Sequence, residues 1–217
     1  MSVALTANRE RKLRANRPLL LLIGWYIAFW AVMAISPLDR SDWLLENLLV
    51  FVGVAFLAGT YHRLPLSNLS YLLITIFMTL HAIGAHYTYE QVPLGYWLKD
   101  LLGQNRNHFD RLVHFSCGLL LTFPIREALL RVTKTTTFWA YFLPLTIILS
   151  ASGFFELLES WVARIVSPKL GLAYLGTQGD IWDAQKDMNA ALVGSLICLF
   201  VVALTSRFAK GKRADKT

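Results

Sequence analysis

The chain has 217 residues, 55% of them hydrophobic and 16% charged, with a mean hydropathy of +0.47. Such a balance excludes a soluble domain and points to an all-α polytopic helix bundle in a lipid bilayer. The net charge of +7 would suit a nucleic-acid binder, but 14 of the 21 Lys and Arg residues cluster on one side of a six-pass arrangement. That is a topology signal with some attraction to anionic lipid, and no nucleic-acid partner is expected.

Crossing the hydrocarbon takes about 20 apolar residues. Six stretches qualify: 18–36, 43–60, 69–87, 109–130, 137–159 and 187–208. They make residues 1–217 one integral membrane domain, with a basic arm at 1–17 that reads as a frayed or interfacial helix and a basic tail at 209–217. Six passes put Arg9, Arg11, Lys12, Arg14, Arg17, Arg63, Arg126, Arg131, Lys134, Arg207, Lys210, Lys212, Arg213 and Lys216 on one side. The positive-inside rule makes that side cytoplasmic, with both termini.

The first stretch lacks a small-residue cleavage site and reads as an anchor; it stops at Ser36-Pro37. In the second, Glu46 lies one turn inside and reads as a carboxylate complementing the helix N-terminus. The third is apolar until His81 and His86, and its Gly84 and Ala85 permit close helix contact. A histidine at the depth of His81 more often bonds a backbone carbonyl or a neighbouring helix than a metal. A short interfacial helix is expected over 94–102.

The fourth stretch opens on Asn107-His108-Phe109-Asp110-Arg111-Leu112-Val113-His114. Asp110 and His114 are four apart, so a helix turns both inward together. The fifth carries Ser150-Ala151-Ser152-Gly153, small residues expected to make the closest helix contact of the bundle, against the fourth. Glu156 and Glu159 follow on one face, at what reads as a helix C-terminus, where negative charge is unfavourable. Residues 161–178 read as an irregular cap. The sixth is entered through Asp180, Asp183 and Asp187, spaced as one helical stripe. Cys117 and Cys198 fall in apolar runs and read as free thiols.

By side, the polar groups are uneven. Of the histidines only His62, and of the acids only Glu10, Glu127 and Asp215, fall on the basic side. Glu46, His81, His86, His108, Asp110, His114, Glu156, Glu159, Asp180, Asp183 and Asp187 gather at the other. Charge at membrane depth costs about 2.5–3.5 kcal/mol per group at a helix centre, so these acids need compensation beyond Arg106, Arg111 and Lys186. A metal ion or a cationic ligand would supply it. Removing Glu127, on the basic side, is expected to do little.

His81-Ala-Ile-Gly84-Ala-His86-Tyr87-Thr-Tyr89, Arg106-Asn107-His108-Phe109-Asp110-Arg111, the Glu156/Glu159 pair and Gly179-Asp180-Ile-Trp182-Asp183-Ala-Gln185-Lys186-Asp187-Met188 together resemble the YjdF-like family of bacterial inner-membrane proteins. That resemblance covers nearly the whole chain and implies a multi-pass protein of the inner (plasma) membrane, without naming a reaction. The second half is also similar to VanZ-like proteins, in Asp110-Arg111-Leu112-Val113-His114-Phe115 and in the Asp180/Asp183 spacing. It departs from them in Arg111, where lysine is usual, and in Asp187, where asparagine is usual.

Three functions compete. The first is a metal-dependent enzyme acting on a lipid or lipid-linked substrate at the outer face, with Asp110, Arg111, His114, Glu159 and Asp183 in its chemistry. Its metal, Zn²⁺, Mn²⁺, Mg²⁺ or Fe, would draw on His81, His86, His108, Asp110, His114, Glu156, Glu159, Asp180, Asp183 and Asp187. Neither a paired Glu-x-x-His motif, nor multiple His-x-x-x-His boxes, nor a Gly-x-Ser-x-Gly elbow is present. The second is a non-catalytic membrane component supporting an envelope partner or stress resistance. The third, a transporter, needs polar groups near the midplane, whereas the inner halves of these stretches are apolar.

Overall fold

The computed structural model describes residues 13, 16–103, 105–133, 135 and 137–214. Most of the basic arm, and the tail beyond 214, lie outside the described residues. The described chain is helical: α1 (Arg17–Met33), α2 (Arg40–Thr60), α3 (Asn68–His86), α4 (Pro93–Leu102), α5 (Phe109–Val132), α6 (Trp139–Ile165), α7 (Pro168–Leu175) and α8 (Asp183–Ala214).

Several starts are written locally. Asn16 accepts from the Leu19 N–H ahead of α1, Asp39 from Ser41 and Asp42 ahead of α2, and Ser67 from Ser70 ahead of α3. Each satisfies amide donors that a first turn leaves open. Helices α2, α3, α5, α6 and α8 are long and apolar enough to cross a membrane. Helix α1, with 17 residues, rises only about 25 Å. It nevertheless runs parallel to α3, pinned by Asn16 Nδ2 donating to Asn68 Oδ1 (3.0 Å) and by His86 Nδ1 at 2.8 Å from the Met33 carbonyl. It completes the set of six. The outward faces carry exposed Leu21, Val52, Phe56 and Phe200, apolar surface that belongs against lipid.

The spine of the bundle is the pair α5 and α8, the most extensive helix contact. The two run parallel with partners 73 positions apart: Asp110 by Asp183, Gly118 by Ala191, and Thr122 Oγ1 donating to Ser195 Oγ at 2.8 Å. A Cβ at Gly118 would land on the Ala191 carbonyl, and one at Gly194 on the Phe115 carbonyl. The closest approach is therefore here. Ser150–Gly153 does not provide it: a Cβ at Gly153 meets only the Met188 sulfur, at 3.2 Å.

Two further expectations are corrected. Residues 161–178 are not irregular, because α6 continues to Ile165 and α7 follows, started by Ser167 and Pro168 and stopped by left-handed Gly176. Glu156 and Glu159 thus lie inside a helix, not at its end. Glu127 accepts from the Ser67 amide and hydroxyl, from Ser70 Oγ and from Arg131. It joins α5 to the start of α3.

Candidate functional site

Oxygens of Asp110, Asp183 and Asp187 all lie within 4.8 Å of one another. The in-register spine makes this happen: Asp110 is in the first turn of α5, Asp183 opens α8, and Asp187 follows one turn later. Two arginines reach the same group. Arg106 Nη1 is 2.5 Å from Asp183 Oδ1 and its Nη2 is 3.8 Å from Asp110 Oδ2. Arg111 Nη2 lies 2.5 Å from Asp180 Oδ2 and 3.3 Å from Asp183 Oδ1. Asp187 is 2% exposed, and its Oδ1 has no hydrogen bond among the described residues; Arg111 Nε stands 3.9 Å away.

His114 joins this group to α6. Its Nε2 is 3.4 Å from Glu156 Oε1 and 3.7 Å from Asp110 Oδ1, and its Nδ1 is 3.3 Å from Ser152 Oγ. Asp110 and His114 do face inward together, as their spacing implies. They also line a cavity of about 320 Å³ that includes Asp42, Glu46, His81, Tyr89, Ser152, Glu159 and Tyr174, with Phe77, Val113, Leu121 and Leu158 as apolar wall. Residues Ala173 to Gly176, at the end of α7, close part of it. Glu46 is therefore a buried cavity residue; Asp39, not Glu46, caps α2.

Across the cavity stands a Tyr–His pair. His81 Nε2 faces the Glu46 carbonyl at 3.2 Å, and so carries the hydrogen; Nδ1 then accepts from the Tyr89 hydroxyl at 2.5 Å. Tyr89 gets there because Thr88 and Tyr89 both adopt positive φ (56° and 50°), folding the chain back over α3. The ring fills the space that a Cβ at Gly84 would occupy, so Gly84 serves this ring. Burial pushes the Tyr89 hydroxyl well above its ordinary range, and Glu46 and Asp110 add to that. Tyr89 remains a donor.

Not every expected residue joins the site. His86 serves the α1–α3 junction. His108 precedes α5 with Nε2 buried and unbonded; burial, then Arg111 and Arg106, disfavour its cation. Asp180 is not on the α8 stripe but in the turn before it, held by Lys186 (2.6 Å) and Arg111. These contacts, Lys186 foremost, hold its carboxyl far below the usual range. Asp42, Tyr89 and Tyr174 are cavity residues that the sequence did not single out. Nor did it single out the reciprocal pair in which the Asn107 amide donates to Gln178 Oε1 (2.9 Å) and Gln178 Nε2 to the Asn107 carbonyl (3.1 Å). Asn107 Oδ1 also accepts from the Phe109 amide (3.1 Å), the local bond that starts α5.

Residues 18–208 match a family model described as Predicted membrane protein (DUF2238). Over 170 residues the chain is 37% identical to the inner membrane protein YjdF of Escherichia coli (strain K12), covering 78% of this chain and 81% of that protein. No solved structure matches. Neither match bears on the likeness to VanZ-like proteins.

Proposed function

The chain belongs to the DUF2238 family of predicted membrane proteins and is a multi-pass protein of the inner membrane; from that premise we propose that it is a divalent-metal-dependent enzyme acting on the phosphoryl group of a lipid or lipid-linked substrate at the outer face. The observation that carries this reading is the oxygen cluster of Asp110, Asp183 and Asp187 within 4.8 Å, with Asp187 Oδ1 buried and unbonded. Like charges this close in a buried place do not all stay ionised without a cation. Asp42, Glu46, Glu156 and Glu159 enlarge the deficit, against Arg106, Arg111 and Lys186. An all-carboxylate set suits Mg²⁺ or Mn²⁺ better than Zn²⁺ or Fe.

A metal bound there would supply Lewis-acid polarisation of a phosphoryl oxygen. The chain's own groups do the rest. Arg106 and Arg111 counter charge developing on the other phosphoryl oxygens. His114, beside Asp110, takes the proton from a water as it adds to phosphorus and the P–O bond to the leaving group breaks. Glu156 stands 3.4 Å from the Nε2 of that imidazole. The test is turnover of a panel of phospholipids and polyprenyl phosphates by reconstituted protein with Mn²⁺. Metal-dependent turnover lost in Asp183→Asn and kept in Asp100→Asn is expected; no turnover of any lipid phosphate at saturating metal removes this reading.

A second reading has its own support. Arg106 donates to the Thr177 carbonyl (2.6 Å) and the Gly176 carbonyl (3.3 Å) besides pairing with Asp183. Such a clasp suits a non-catalytic component in which the charges hold α7 and α8 to α5. Under it, Asp183→Asn lowers the melting temperature with no reaction to lose. Transport has no comparable observation behind it.

A further inference from the structure

We propose that the cavity beside the carboxylate cluster binds a membrane amphiphile with an ammonium headgroup, an aminophospholipid, whose chain enters from the bilayer between α2 and α6. This names the substrate class of the enzyme proposed above and rests on that reading in taking the phosphate towards Arg106 and Arg111.

Charge complementarity is the first ground. Among the described residues, four carboxyl groups line the cavity (Asp42, Glu46, Asp110 and Glu159) and no lysine or arginine does. Asp42 is 1% and Glu46 4% exposed, and each has an oxygen without a hydrogen bond among the described residues. The histidines do not answer Asp42 or Glu46: His81 is engaged by the Glu46 carbonyl and Tyr89, and His114 by Ser152, Glu156 and Asp110. An ammonium brings three donors and a positive charge, and Phe77, Phe155, Tyr89 and Tyr174 offer it aromatic surface.

Shape is the second ground. A volume of about 320 Å³ is roughly ten times the ≈ 30 Å³ share of one water, far more than a metal ion needs. Most of the remaining wall is apolar. At its rim stand Leu49 of α2 and Phe154 of α6, which line the cavity yet are 42% and 53% exposed. Helix α2 is held by α3 and α7, and α6 does not pack extensively against it. The rim therefore faces the hydrocarbon sideways, where a lipid chain already is.

The experiment is native mass spectrometry of the full chain in mild detergent, titrated with phosphatidylethanolamine, its N-acetyl derivative and phosphatidylglycerol. Mn²⁺ binding is measured in parallel. Phosphatidylethanolamine is expected to bind about tenfold tighter than the N-acetyl form, the loss of one charge-assisted contact. Glu46→Gln should erase that preference, and Leu49→Trp at the rim should weaken both lipids alike. Equal affinity of the wild type for all three lipids overturns the inference, as does a preference unchanged in Glu46→Gln. Retained Mn²⁺ binding without lipid preference leaves the metal reading standing and removes this one; preference without Mn²⁺ binding does the reverse.

Discussion

Arg106 Nη1 lies 2.5 Å from Asp183 Oδ1, an ion pair that joins the approach to α5 to the first residue of α8. It closes the acidic end of the bundle's closest helix pair. Below it, Thr122 and Ser195 hydrogen-bond with the same offset of 73 residues. One register therefore governs both the packing of the spine and the meeting of the carboxylates.

That register can be tested by packing. Gly118→Ala puts a Cβ onto the Ala191 carbonyl, whereas Gly53 has open space around it. Overpacking should lower stability by about 1–3 kcal/mol at Gly118, while Gly53→Ala should be neutral or slightly stabilising through helix propensity. Thermal melts in detergent read the difference; equal melting temperatures contradict the close approach.

The Tyr89–His81 pair makes a separate prediction. Tyr89→Phe keeps the ring over Gly84 but removes the bond to His81 Nδ1, at about 0.5–1.5 kcal/mol. Gly84→Ala should cost more, because the ring itself must move. A melt series in which Gly84→Ala is silent contradicts this placement.

The spans and their order were legible because apolar length and start signals such as Asp39 and Ser67 act locally. Ser167-Pro168 and Gly176 mark the ends of helix α7, but the same proline and glycines in sequence also fit an irregular loop. Asp110 with His114, and Asp183 with Asp187, could be paired by helical spacing alone. Asp42 and Glu46 could not be recognised as cavity residues, because that depends on where α7 and α3 come to lie. Tyr89 was hidden for another reason: two non-glycine residues at positive φ carry it into place, and no residue type announces that turn. Gly118 and Gly194 look ordinary until the offset of α5 and α8 is known.

Acid should spare the turn before α8. Lys186 and Arg111 hold the Asp180 carboxyl far below its ordinary value, so its contribution is full above the unfolded value of about 3.9 and fades only as pH falls through the lower folded one. The gap in melting temperature between wild type and Asp180→Asn should stay flat from about pH 7 to pH 5. A gap that closes within that window contradicts the ion pairs.

The site faces outward only if both termini are cytoplasmic. The 14 basic residues of one side, against 7 on the other, predict this orientation. Alkaline phosphatase fused at the C-terminus should be inactive and a fluorescent reporter there active. The opposite pair of results reverses the orientation and puts the carboxylates inside.

The most direct test of the metal site is the metal content and Mn²⁺ affinity of the purified chain in mild detergent, by elemental analysis and calorimetry. The wild type should hold about one ion per chain, as a closed set of three carboxylate ligands implies. Asp187→Asn, which removes the buried and unbonded oxygen, should lose it while remaining folded and membrane-inserted, and exposed Asp100→Asn should keep it. Wild type without Mn²⁺ or Mg²⁺ affinity, or an Asp187→Asn protein that binds as the wild type does, would contradict the account.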